Sequence, residues 1–212
     1  MTANTEALAD RETLDDTEQA RADVYALLGA LLTRPPDATL LGLLQRIPPM
    51  EAMSDSTMAA AWSTLKQSAA GAQVEGLQEE FQDLFIGIGR GEVVPYGSWY
   101  MTGFLMEKPL AELRVDLQRF GLKRQEQTRE PEDHAAALCE TMSHLVSDSE
   151  VTLTQQREFF AKHIEPWMGR FFGDLAVASA ARFYRAVALL GERFLEVERT
   201  HFSMFGVRSA ER

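Results

Sequence analysis

One cysteine, Cys139, is all the thiol chemistry this 212-residue chain holds. That excludes an intramolecular disulfide and a cysteine-rich metal knuckle, and it fits a reducing compartment. The amino-terminal stretch MTANTEALADRETLDD has neither the basic n-region nor the apolar h-region of an export signal, so the protein is expected to stay in the cytoplasm. No uninterrupted apolar run approaches the roughly 18 residues of a membrane-spanning helix, so no membrane-integral segment is expected. Basic residues are scarce: 21 stand against 32 acidic ones, a formal charge of −11. Such a balance repels phosphate backbones and argues against a nucleic-acid partner. It suits a basic peptide, and equally well plain solubility.

Segments that alternate with period two are missing as well, and helical spacing takes their place. Ala20, Val24, Leu27, Leu28 and Leu31 share one face after the polar run Asp15–Gln19, and Pro35-Pro36 stops that helix. Asp37 suits the cap of a second helix, whose Leu40, Leu41, Leu43, Leu44 and Ile47 run almost all the way round. Met58, Ala61, Trp62 and Leu65 mark a third helix, and Val74, Leu77, Phe81, Leu84 and Phe85 a fourth. The glycines of IGIGRGEVVPYGS make a loop from Ile86 to Ser98. Pro109 and Gly121 bracket a helix carrying Leu110, Leu113, Leu117 and Phe120. Pro131 is expected to open the next, with Ala135, Leu138, Met142 and Leu145 inward, and Thr152 with Gln155 fits a capping box for its successor. Phe160, Ile164, Phe171 and Leu175 continue past Pro166, and Phe183, Val187, Leu190 and Phe194 carry a last long helix. The expected fold is an all-α helical bundle. It divides into a disordered tail (1–15), an N-terminal helical half (16–122), a hinge (123–130), a C-terminal half (131–200) and a C-terminal tail (201–212).

Little in these helices carries chemistry of its own. GIGRG follows a helix rather than a strand, and no Gly-Lys-Ser/Thr accompanies it, so a phosphate cradle is not supported. Glu130 with His134, and Glu140 with His144, are spaced four apart as metal pairs can be. At about 100° and 1.5 Å per residue, however, His144 falls roughly 80° and about 15 Å from His134, too far to share one ion. No Gly-x-Ser-x-Gly elbow is present, and Cys139 sits among apolar and acidic neighbours that raise its pKa. No catalytic residue, metal or cofactor is expected. Glu130, Glu132 and Asp133 before His134 can simply complement a helix dipole.

In chain order, FQDLFIG (Phe81–Gly87), PYGSWYMTG (Pro95–Gly103), LAELRVDLQRFGL (Leu110–Leu122) and EPEDH (Glu130–His134) form a pattern. Taken together it resembles the TorD/DmsD/NarJ family of redox-enzyme maturation chaperones, over about Val24–Leu195. The chain departs from that pattern at GIGRGEV, where family members often have Gly-Pro, and at Trp99 inside the Ser-x-Tyr motif. The resemblance implies a TorD-like helical bundle, a chaperone rather than an enzyme. It would bind the twin-arginine signal peptide of an exported molybdopterin oxidoreductase precursor and hold it until the cofactor is inserted. Carried over residue by residue, the groove would be lined by Leu84, Phe85, Tyr96, Trp99 and Tyr100, with Glu130, Pro131, Asp133 and His134 at its polar end. GFLMEKPL (Gly103–Leu110) resembles members associated with formate dehydrogenase. The family also implies a monomer or a homodimer with exchanged helical halves. The alternative is a helical enzyme or regulatory module using Asp133 and His134 as an acid/base pair.

Overall fold

The computed structural model describes the backbone of residues 2–48, 55–87, 91–122 and 130–208, with side chains from 16 to 204 within those stretches. The apolar repeat through Leu31 becomes α1 (Thr2–Thr33), which buries Ala22, Tyr25, Leu28, Leu31 and Leu32. Its backbone is helical from Thr2, so residues 2–15 continue a helix where a disordered tail was expected. Asp37 caps α2 (Ala38–Gln45), its carboxylate accepting the Leu40 N–H at 2.9 Å. Only Leu41 and Leu44 of α2 are buried, and Leu43 is 54% exposed, because α2 packs mainly on α3 (Ser56–Gly71) and not on all sides.

The fourth helix, α4 (Val74–Phe81), runs on into a π-helical turn, Gln82–Ile86. A short helix, α5 (Gly97–Thr102), begins inside the stretch expected as loop. It is followed by α6 (Lys108–Arg119), α7 (Ala135–Ser147), α8 (Leu153–His163), α9 (Met168–Val177) and α10 (Phe183–Arg208). The Thr152–Gln155 capping box at the start of α8 forms as its spacing indicates. No β-strand occurs among the described residues, and a single antiparallel bridge joins Tyr96 to His134.

One apolar core runs through both halves of the sequence. Helix α1 lies along α7, while α3 and α9 pack on α10. The α9–α10 contact depends on Gly191, since a Cβ there would meet the buried Phe172 ring at 2.3 Å. The expected hinge lies outside the described residues except for Glu130. Residues 201–208 of the expected C-terminal tail are the end of α10, and 209–212 lie outside the described residues. Phe202 is buried against Phe160, with ring centroids 5.2 Å apart, and the Arg21 guanidinium lies over its ring at 5.0 Å. A ring so covered keeps the helix going.

Candidate functional site

Two segments cross where the conspicuous motifs meet. The Gly97 N–H donates to the Asp133 carbonyl and the Ala135 N–H to the Pro95 carbonyl, each within 3 Å, so PYGS and EPEDH are sewn together. The Asp133 carboxylate accepts the Ser98 N–H at 2.7 Å and is almost fully buried. The His134 ring caps α7, its Nδ1 accepting the Ala136 N–H at 3.1 Å. This cap sets the start of α7 at Ala135, four residues after the Pro131 that was expected to open it. Burial lowers the His134 pKa to about 4, against the opposing pull of Glu130 and Asp133, so the ring is neutral near pH 7. Its edge meets the Tyr96 ring at a centroid distance of 5.0 Å, and the Tyr96 hydroxyl donates to Glu130. Burial and that carboxylate both raise the Tyr96 pKa, so the phenol keeps its proton.

Beside this crossing opens a cleft of about 520 Å³. Its apolar lining comes from Phe81 at the end of α4, Phe85 and Ile86 of the π-helical turn, Leu117 and Leu122 from the α6 side and Leu32 from α1. The Phe85 ring is held edge-on against Tyr184 of α10 at 5.4 Å and against Phe81 at 4.9 Å. A stripe of α7 lines the same cleft: Ala137, Glu140, Thr141 and His144, at helical spacing of three, four and seven. Glu130 and Glu132 stand at its N-terminal end. Three carboxylates thus line the cleft, and no lysine or arginine is among its described lining residues. Glu132 is held by Arg114 through Nε and Nη2 at about 3 Å, whereas Glu130 receives the Tyr96 hydroxyl.

Of the residues expected to line a groove, Phe85, Tyr96, Glu130 and His134 face this cleft. The others do not. Leu84 has no exposed surface; it belongs to the core, because the π-helical turn rotates Phe85 and Ile86 outward in its place. Asp133 is buried as a brace for α5 and is not presented at the polar end. Tyr100 turns to α9, stacking on Trp167 at 5.5 Å and donating its hydroxyl to Asp174. Trp99 is partly exposed on α5 but lies outside the cleft lining, and Pro131 uses its carbonyl to accept the His134 N–H. Reading the motifs missed Glu140, Thr141 and His144. Their signal was present in the four-residue spacing of Glu140 and His144, which had suggested a metal pair.

The acid/base alternative finds no support in this geometry. His134 Nδ1 is engaged as a helix cap, and the Asp133 oxygen that bonds does so to a backbone N–H. Cys139 is fully buried, with its pKa pushed up to about 12, so it is inert as a nucleophile. Among the described residues, no group of three potential ligands is placed to hold a metal ion, and no helix is long and apolar enough to cross a membrane.

The described residues thus form an all-helical bundle with a cleft lined by apolar and acidic side chains. The fold is that of a putative redox enzyme maturation protein from Archaeoglobus fulgidus, with a TM-score of 0.53 over 84% of this chain and 93% of that one, at 20% identity. Residues 51–173 match the family model described as nitrate reductase delta subunit, and the chain belongs to this family, that of the TorD and DmsD chaperones. The chaperone TorD of Vibrio cholerae serotype O1 is 30% identical over 143 residues, covering 63% of this chain and 64% of that protein. The probable Tat proofreading chaperone DmsD of Haemophilus influenzae is 30% identical over 124 residues, 58% of this chain and 60% of that one. The chain therefore spans just under two thirds of the length of the curated relatives it matches. These relatives are named as chaperones, not enzymes.

Proposed function

We propose that this protein is a cytoplasmic chaperone that receives the twin-arginine signal peptide of an exported molybdopterin oxidoreductase precursor in the cleft between α4, α6 and α7. Held there, the precursor would be kept from export until its cofactor is in place. The observation that carries this reading is the lining itself: Phe81, Phe85, Ile86, Leu117 and Leu122 share one cleft with three carboxylates, with no lysine or arginine among the described lining residues. A signal peptide combines an apolar segment with adjacent arginines. The apolar segment gains by leaving water against that lining, and guanidinium groups pair bidentately with carboxylates. Glu130 is the first acceptor in this scheme, since among the described residues its carboxylate is met by a hydroxyl, that of Tyr96, which an arginine can displace or share. The resemblance of GFLMEKPL to members associated with formate dehydrogenase makes that enzyme the first client to try. Nothing in such work needs bond chemistry.

The test is calorimetric titration of a synthetic peptide carrying Arg-Arg ahead of an apolar segment, beside its Lys-Lys counterpart. The arginine peptide is expected to bind with a negative heat-capacity change from apolar burial. The lysine peptide should bind about tenfold or more weakly, because an ammonium cannot reproduce a bidentate contact. Part of the affinity should survive in about 1 M salt, where exposed ion pairs are screened but apolar burial is not. Equal binding of both peptides, with loss of all affinity at high salt, would reduce the interaction to nonspecific acidity.

A further inference from the structure

One of the carboxylates in the cleft already carries a guanidinium. Glu132 lines the cleft, and Arg114 of α6 meets it side-on, with Nε 3.1 Å from Oε1 and 3.0 Å from Oε2, and Nη2 2.9 Å from Oε2. Arg114 stands one turn before Leu117, which belongs to the apolar lining, so the pair joins α6 to the acidic segment beside that lining. A fork of N–H donors on a carboxylate is the contact that an incoming arginine would make.

The two elements that the pair joins are each held by other means. Two residues beyond Arg114, the buried Asp116 meets Lys162 Nζ at 2.6 Å and His163 Nε2 at 2.8 Å, which ties α6 to α8. Leu110 and Leu113 root the same helix in the core. Around Glu132 the backbone is fixed by the His134 N–H on the Pro131 carbonyl and by the Gly97 N–H on the Asp133 carbonyl. The Glu132 side chain is 15% exposed and that of Arg114 47%, so the arginine is the partner able to leave. It would swing into water, and no buried cation would be left behind, in contrast to Arg21.

We propose that Arg114 is an internal competitor for the cleft, holding on Glu132 the position that an arginine of the client takes when it binds. This rests on the proposed function and adds regulation to it: the first client guanidinium meets Glu130, and the second reaches Glu132 only by displacing Arg114. Exchange of one guanidinium for another conserves the kind of bond made to the carboxylate. The affinity gained from the second arginine is therefore reduced by the strength of the internal pair, as for any site whose open form is only a fraction of the population. Such attenuation suits a protein that has to give up its client, because Arg114 returns to Glu132 as the peptide leaves.

The test is a titration of the full chain with two synthetic peptides, one carrying Arg-Arg ahead of an apolar segment and the other Gln-Gln in the same place. An exposed ion pair holds a site closed only a few-fold, so Arg114→Gln is expected to tighten the Arg-Arg peptide by about two- to fivefold while the Gln-Gln peptide binds as before. Arg114→Lys, which keeps the charge but not the fork, should give a smaller gain in the same direction. In a Glu132→Gln background, Arg114→Gln should bring no gain, since the carboxylate for which the two arginines compete is gone. Nuclear magnetic resonance of the arginine Nε–H groups reads the exchange in the unmodified protein. The Arg114 signal, assigned by its loss in Arg114→Lys, should exchange faster with water when the Arg-Arg peptide is added and stay as it is with Gln-Gln. Unchanged or weaker binding of the Arg-Arg peptide to Arg114→Gln would show that Arg114 supports the site instead of competing for it. A gain that is equal for the Gln-Gln peptide, or that persists with Glu132→Gln, would reduce the effect to net charge and overturn the competition. If the Arg-Arg peptide binds neither the unmodified protein nor Arg114→Gln, the proposed function falls and the competitor with it.

Discussion

Replacing Glu198 by alanine is expected to lower the free energy of unfolding by about 3–5 kcal/mol, seen as a lower denaturation midpoint in urea. Glu198 has no exposed surface, and Arg21 is nearly as buried. The guanidinium of Arg21 donates to Glu198 through Nε at 2.6 Å and through Nη2 at 2.8 Å, and the Tyr25 hydroxyl donates to the same carboxylate at 2.9 Å. These bonds join α1 to α10 across the core, and Gln156 of α8 adds a contact to Arg21 at 3.1 Å. Removal of the carboxylate leaves a buried cation with Glu18, at 2.8 Å, as its remaining counter-ion. That residual pairing places the expected loss toward the lower end of the range. Exchanging the pair together, Arg21→Met with Glu198→Leu, should recover much of it, since apolar side chains of similar volume remove both desolvation costs. An unchanged midpoint in Glu198→Ala would mean that the network contributes no net stability.

Glu80→Ala is expected to cost about 3 kcal/mol and to weaken peptide binding at the same time. Glu80 is a buried carboxylate on α4 that serves a different helix. Its Oε1 accepts the N–H groups of Arg182 and Tyr184, both at 2.8 Å, and its Oε2 accepts that of Phe183 at 3.2 Å. Helix α10 has no acid in its own first turn, so Glu80 supplies both the cap and the negative charge its N-terminus favours. Glu92 does the same for Ser179 and Ala180, and the bonds from Ser179 and Ala180 lower its pKa. These two carboxylates fasten the stretch around the π-helical turn to the start of α10. Phe81 and Phe85, which form the apolar wall of the cleft, lie on that stretch and against Tyr184. With the clamp gone, hydrogen exchange at 182–184 should speed up and the aromatic wall should lose its fixed position. Glu80→Gln should lose less, because its amide oxygen still accepts two of the three bonds. A loss of stability with full peptide affinity would separate the clamp from the cleft.

Much of this architecture is legible in the sequence because it is local. The apolar spacing of α1, the Asp37 cap, the Pro109 and Gly121 boundaries and the Thr152–Gln155 box are each written within a few residues and each appears where expected. What was misread depends on long-range partners. Periodicity could not show that Leu43 faces solvent, since that turns on which side of α2 meets α3. Nor could it show that Phe202 extends the core under Arg21 and so lengthens α10. The same division holds at the site. The motifs marked the right crossing of chain, but the π-helical turn exchanges Leu84 for Phe85 and Ile86, and Asp133 serves as a buried brace. The family pattern is a pattern of the crossing as a whole. It does not separate residues that face the cleft from those that build it.

The central claim is that a signal peptide occupies the cleft bounded by α4, α6 and α7. Hydrogen–deuterium exchange of the full chain, alone and with a twin-arginine signal peptide at saturation, tests it most directly. The account predicts slowed exchange across 81–86, 95–100 and 130–144, with little change in α8 or at the exposed apolar residues Phe104, Leu105 and Met106. Protection confined to 101–107, or to the shallow pocket that Phe160, Arg199 and Phe202 form between α8 and α10, with the cleft segments exchanging as before, would contradict it.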